Sequence, residues 1–397
     1  SVGGAWIFSS EGVVQQHLPA LSFGKLRASY GTTGNDQIGD YSFMNLYHSR
    51  NRTVPYQGVT GLYTGGYPNP FLQWEESRKL QAGLHLGFNK DKILVNLGWY
   101  QNRSSNQLQG YALPIITGVN DITSNFPATI QNSGWEISLN TTNVQSRNFN
   151  WSTSINLTIP KNKLIAYKDL EQSSSANLLI IGEPFTITRR YHSLGVDPTT
   201  GLYIFRDNKG VPTSNPVFPT DAYVIQDRQP IFFGGLQNSI SYKGLSIDFL
   251  FQFVKQKAQG FDYGDRPGLF FSDVYGSPVG NQPRTVLNRW QKPGDNNANI
   301  QRFSAINPAE VLFPSIYAYR SDANWVDVSY LRLRNLAFSW QLPQKLLKRG
   351  FLQSVRLYAQ GQNILTITNY TGLDPETRSN NTLPSLRVWT LGLQVTL

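Results

Sequence analysis

Side-chain polarity in this chain alternates with a period of two, in runs of about ten residues. Leu80, Ala82, Leu84, Leu86 and Phe88 are interleaved with Gln81, Gly83, His85 and Gly87. Ile93, Val95, Leu97 and Trp99 follow, interleaved with Leu94, Asn96, Gly98 and Tyr100. Trp135, Ile137 and Leu139 alternate with Glu136, Ser138 and Asn140. Leu245, Ile247, Phe249, Phe251 and Phe253 alternate with Ser246, Asp248 and Gln252. Trp389, Leu391, Leu393, Val395 and Leu397 close the chain against Thr390, Gly392, Gln394 and Thr396. Successive strand residues point to opposite faces, so each run has one apolar and one polar face. A soluble sandwich alternates too, but its strands average about 5–6 residues. Runs of about ten match the ~9–11 residues that carry a tilted strand across a bilayer.

The connections between runs alternate between short and long. Short ones sit at Ser10–Leu21, Asn89–Asp91, Asn143–Asn148, Lys243-Gly244 and Pro343–Gln353. Long ones span Thr32–Ser77, Ser104–Pro127, Lys161–Ile231, Lys257–Val326 and Thr366–Ser385. The long side holds roughly 230 residues against roughly 35, the asymmetry of a transmembrane barrel with short turns at one end. Eleven strands are expected: one ending near Phe8, then Phe23–Gly31, Arg78–Phe88, Lys92–Arg103, Ala128–Thr142, Trp151–Ile159, Phe232–Tyr242, Leu245–Gln256, Asp327–Gln341, Val355–Leu365 and Leu386–Leu397. The apolar phase switches from odd (Leu331, Leu333) to even (Leu336, Phe338, Trp340), which places a β-bulge near Arg334-Asn335. Eleven strands with open edges would leave backbone groups unpaired in lipid. The chain is therefore expected to be part of a larger barrel.

Composition narrows the alternatives. Cysteine is absent, which removes disulfide scaffolds and thiolate metal sites. Charged residues make up 15%, below the ~25% of globular proteins. No apolar stretch approaches the ~18 residues of a membrane helix. The net charge is +10, but the Lys and Arg residues are scattered, so no nucleic-acid partner is read from it.

Several landmarks together resemble the SusC/RagA-like TonB-dependent transporters of the Bacteroidota outer membrane. They are Lys25 to Gly31 with Gly34-Asn35, Trp74-Glu75, Asn132 to Glu136, Asn288 to Trp290, Tyr330 to Leu336, Trp340 to Pro343, Val355 to Asn363, Tyr370 to Glu376, Leu383-Pro384 and Trp389 to Leu397. The resemblance implies an all-β transmembrane antiparallel barrel of 22 strands. Residues 1–397 would form its C-terminal part, without the plug, the N-terminal domain and the first barrel strands. It implies TonB-dependent import of an oligosaccharide or peptide and a SusD-like surface lipoprotein as partner. TonB itself would contact the missing N-terminal region. It also implies contact with outer-membrane lipid and a Gram-negative location, and leaves pairing of two transporter–lipoprotein units open. A passive porin and a surface adhesion or assembly component are the rival readings.

No enzyme is expected. No nucleophile elbow or phosphate loop occurs. His17, His48, His85 and His192 lack metal-spaced partners. Asp295-Asn296-Asn297 lacks the spacing of a calcium loop. No cofactor or metal is implied. Trp99, Tyr100, Trp135, Trp151, Trp340 and Trp389 read as interfacial girdle residues. Tyr275, Trp290, Tyr317, Tyr319, Arg320 and Trp325 fall in long loops and are the candidate contacts for substrate or partner. Asp374-Pro375-Glu376 reads as a turn in the last long loop.

Overall fold

The structure, a computed structural model, describes residues 1–36, 41, 43–49, 59, 61–118, 121–263, 267–269, 282–305, 309–347, 352–379 and 382–396. Eleven strands form one sheet. They are β1 (Val2–Trp6), β2 (Leu21–Asn35), β3 (Glu75–Phe88), β4 (Ile93–Ser105), β5 (Ala128–Gln145), β6 (Phe149–Tyr167), β7 (Phe232–Tyr242), β8 (Leu245–Lys255), β9 (Tyr330–Gln341), β10 (Ser354–Thr368) and β11 (Val388–Thr396). Each lies beside its neighbours in sequence, from β1 at one edge to β11 at the other. All but β1 run nine residues or more, enough to cross a bilayer at a tilt. Among the described residues no helix is long and apolar enough to cross a membrane.

The chain divides into two compact units. The first comprises Ser1–Phe88, Asn96–Glu136 and Lys161–Phe185. The second comprises Asn89–Val95, Ile137–Pro160 and Thr186–Leu397.

In the first unit, register aligns Trp6, Leu26 and Leu84, and likewise Val2, Tyr30 and Leu80. Gly3, Ser29 and Gln81 form a row in the opposite phase. A compact apolar cluster of Phe126, Ala128, Ile130, Leu164, Tyr167 and Leu179 sits where β5 starts and β6 ends. A hairpin of Gln107–Ala112 with Asp121–Phe126 stands beside it.

In the second unit, register stacks the two phases across six strands. Trp151, Ile240, Ile247, Phe338, Ala359 and Leu391 form one row. The next row, on the other face, is Ser152, Ser239, Asp248, Ala337, Gln360 and Thr390. The apolar row stays open: Phe338 is 48% and Leu391 84% exposed. Water would penalise such a face by roughly 25 cal/mol for each Å² of apolar surface left uncovered. A lipid solvent carries no such penalty.

The expected bulge is present. Leu250 pairs with Asn335 and Phe251 with Leu333, which leaves Arg334 as the extra residue. Lys243-Gly244 closes β7 and β8 with φ values of 46° and 90°, the sign that a two-residue hairpin turn needs at both positions.

Several expected boundaries shift by two residues or more. The strand expected at Trp151–Ile159 runs on to Tyr167. The strand expected over Asp327–Gln341 begins at Tyr330 instead, because Asp327 accepts the Ser329 N–H at 2.8 Å and turns the chain. Trp325–Asp327 becomes a separate short strand paired with Lys257–Gln259. The long connections also carry structure of their own, in short ladders and one helix.

Candidate functional site

The connection after β6 and the connection after β8 build one loop assembly within the second unit. In the first, Ile187–Arg190 pairs with Val224–Asp227, and His192–Val196 pairs with Tyr203–Arg206. The second contributes Lys257–Gln259 with Trp325–Asp327 and the helix Ala309–Tyr319. Glu310 in the first turn suits the positive end of the helix dipole. Val311, Leu312, Ser315 and Ala318 recur at helical spacing and are buried. Tyr191, Tyr203, Phe205, Ala222 and Ala318 form a core, with Tyr317 and Tyr263 packed against it. Tyr191 and Tyr317 meet edge-on at 5.5 Å, a geometry that adds about 0.5–1.5 kcal/mol beyond burial.

This assembly borders an open cavity of about 630 Å³ whose lining includes Ser193, Gln226, Lys257, Asp262, Asp322 and Trp325. The size falls within the ~300–1,000 Å³ of ligand pockets. Asp322 is fixed at the wall: His192 Nδ1 lies 2.6 Å from its Oδ2, and the Ser193 N–H donates to its Oδ1 at 2.9 Å. Behind the indole of Trp325, the Arg190 guanidinium lies 4.9 Å from the ring centroid. Arg190 donates to the Tyr319 carbonyl at 3.2 Å and to Gln259 Oε1 at 3.3 Å. Burial, then repulsion from Arg228, lowers its pKa to about 10. On the other side of the short ladder, Lys255 donates to Asp327 at 2.5 Å. That bond, with the one from Ser329, holds the Asp327 carboxyl at about 2.

The loop residues singled out in the sequence part company here. Trp325 lines the cavity. Tyr319 ends the helix and Arg320 follows it at the Arg190 side, where the Tyr319 carbonyl accepts Arg190 and Asn324. Trp290 packs over Gly201 and donates to the Pro198 carbonyl at 2.9 Å, so it braces a turn. Tyr317 donates to Asn215 at 3.0 Å and belongs to the aromatic core. Tyr275 lies outside the described residues. Asp295 accepts the Asn297 N–H in a local turn. Among the described residues no three His, Asp or Glu side chains gather as a metal set.

The fold and the sequence both have known counterparts. The solved structure of the RagAB peptide transporter superposes with a TM-score of 0.80 at 25% identity, over 99% of this chain and 43% of that one. TonB-dependent receptor P3 of Formosa agariphila is 28% identical over 98% of this chain and 41% of its own length. The TonB-dependent receptor SusC of Bacteroides thetaiotaomicron is 24% identical over 94% of this chain and 38% of its own length. This chain is SusC/RagA-like, in sequence and in fold. No family model matches it. It spans about two fifths of the length of these relatives. Their names are those of receptors and a transporter, not of enzymes.

In the SusC/RagA-like chain, Asp374-Pro375-Glu376 is more than a turn. Arg332 donates to Asp374 at 2.6 Å, to Glu376 at 2.7 Å and to Thr366 at 2.9 Å. The bulge residue Arg334 bonds Glu376, Gln252 and Asn363. The side chains of Arg332 and Asp374 are each only 3% exposed. Burial alone would raise the Asp374 pKa, but the bonds from Arg332 and the Glu376 N–H outweigh it and hold the carboxyl below its usual range. The last long connection is thereby latched onto β9. Sequence spacing hid this, because the partners are 42 residues apart. The one signal was a pair of arginines beside a bulge.

Proposed function

We propose that this chain forms eleven C-terminal strands of a TonB-dependent outer-membrane importer in a Gram-negative bacterium of the Bacteroidota type. Its cargo would be a nutrient oligosaccharide or peptide, taken in together with a SusD-like lipoprotein seated over the long loops. The apolar row from Trp151 to Leu391, open across six strands, is the observation that carries the reading. Such a face suits lipid and no other solvent. The opposite phase lines a path with Ser, Gln, Thr and Asp. Many weak hydrogen bonds there would hold a polar solute without trapping it. The latched connection and the two-loop assembly stand at the end with the long connections, where a solute would enter from outside. Energy would come through TonB acting on a part of the protein outside this chain, since the outer membrane has no ATP. The similarity to SusC and to the RagAB peptide transporter supports the reading.

Gene deletion and uptake assays test it, with the substrate chosen from enzymes encoded beside the gene. Loss of uptake that is restored only by a TonB-competent copy is the expected result. Passive diffusion independent of TonB would indicate a porin. Surface binding with normal uptake in the deletion strain would indicate an adhesion component.

A further inference from the structure

Among the described residues, the aspartates of the loop assembly are engaged, with one exception. Asp197, Asp207, Asp221 and Asp227 each accept nearby backbone N–H groups. Asp295 accepts the Asn297 N–H. Asp322 is held by His192 and the Ser193 N–H, and Asp327 by Lys255 and the Ser329 N–H. Asp262 accepts no hydrogen bond and joins no ion pair among the described residues. It is half-buried and lines the 630 Å³ cavity. A carboxylate that is partly desolvated and left without a partner is costly. A second observation at the same wall does not depend on charge. Trp325 lines the cavity, is only 8% exposed, and its Nε1 donor is buried without a partner. An orphaned indole N–H calls for an acceptor.

We propose that this cavity recognises a primary ammonium group, seated on Asp262, on a solute whose oxygen atoms take the neighbouring donors. The charges of the lining decide the sign. They are Asp262, Asp322 and Lys257. Both carboxylates are half-buried, whereas Lys257 is exposed. Water screens the lysine more than the carboxylates, so the cavity favours a cation. An ammonium group donates three hydrogen bonds. Asp262 supplies one charged acceptor, and Thr285, Asn288 and Asn299 bring further oxygens to the same lining. The side chains of those three residues form no hydrogen bond among the described residues. The walls are set before a solute arrives. The Gly260 N–H donates to the Asn324 carbonyl at 2.8 Å, and the Asn299 N–H to the Asn288 carbonyl at 3.1 Å. Asp322 is fixed by His192 and Ser193. The inference rests on the import reading, which it deepens by naming a chemical group of the cargo.

The ammonium group has two sources, a peptide amine and an amino sugar. The test titrates the purified complete transporter calorimetrically at about pH 6, below the α-amino range of roughly 7.7–8.0. The probes are a short peptide amide with a free amino terminus against its N-acetyl form, and a glucosamine trimer against its N-acetylated form. Expected is a preference of about tenfold or more for the charged member of one pair or of both. The pair that discriminates names the source. The preference shrinks with added salt. It disappears in Asp262→Asn, whose melting temperature stays that of the wild type because Asp262 bonds none of the described residues. It persists in Asp327→Asn, which removes the same charge from outside the lining. It grows in Lys257→Gln, which keeps the test decisive if Asp262→Asn fails to fold. Absence of preference in both pairs, a preference that survives Asp262→Asn, an equal loss in Asp327→Asn, or a decline in Lys257→Gln overturns the proposal. Normal uptake in a deletion strain whose purified protein still discriminates the probes removes the import reading alone. Lost uptake in that strain, with a purified protein indifferent to the ammonium, removes this site alone.

Discussion

Replacing Arg332 with Leu should release the last long connection without unfolding the sheet. Arg332 supplies three hydrogen bonds to Thr366, Asp374 and Glu376. Its loss leaves the Asp374 carboxylate buried without its cation. Removing one partner of a buried pair costs about 3–5 kcal/mol. Asp374 would keep the Glu376 N–H at 2.8 Å, and Glu376 would keep Arg334, so the lower end, about 3 kcal/mol, applies. That corresponds to roughly a hundredfold rise in local opening. Hydrogen–deuterium exchange of residues 374–379 in the complete transporter reads it directly, since the Arg378 N–H is held by the Asp374 carbonyl at 3.0 Å. The double variant Arg332→Leu/Asp374→Leu should exchange more slowly than the single one, because no orphan charge remains. Unchanged protection in the single variant, or a double variant that opens further than the single, would refute the latch. Acid has a defined effect. The folded Asp374 pKa is depressed, so its contribution is complete above the unfolded value and disappears as pH falls through the lower, folded one. Protection should therefore persist at pH 5.

Other perturbations separate the remaining parts. Gly244→Ala puts a Cβ 2.7 Å from the Gln341 carbonyl at a φ of 90°, and should lower the temperature at which the barrel unfolds on a gel by an amount matching about 1–2 kcal/mol. Phe338→Arg on the open apolar row, one outward position from the girdle residue Trp340, should cost about 1–2 kcal/mol at that depth, whereas Thr390→Arg in the polar row should stay within about 0.5 kcal/mol; folded yield in vesicles compares them. Asp327→Asn should remove a stabilising contribution that the wild type retains above pH 4 and loses as pH falls toward about 2. With Asp327 45% exposed, that contribution is screened to under about 1 kcal/mol, readable as amide exchange at Val326.

The eleven strands were legible because a sheet between lipid and a polar interior imposes two chemistries on alternate residues. The signal faded where that constraint ended. β6 continues from Pro160 to Tyr167 through Lys161, Asn162 and Lys163, where hydrogen bonding goes on but no oily phase is required. The bulge at Arg334 was legible because it shifts that phase. The latch was not, since Asp374 and Glu376 meet arginines brought in by register from another strand. Among the loop aromatics, composition alone could not tell Trp325, a cavity wall, from Trp290 and Tyr317, which brace loops.

Spin labels placed one at a time along β8 test the central claim most directly, in a chain free of native cysteines. In the complete transporter in vesicles, oxygen collision should be high at positions 247, 249 and 251 and low at 246, 248 and 252, with a polar nickel reagent showing no matching rise at the odd positions. Collision rates with no two-residue period, or odd positions open to the nickel reagent, would contradict a lipid-facing sheet.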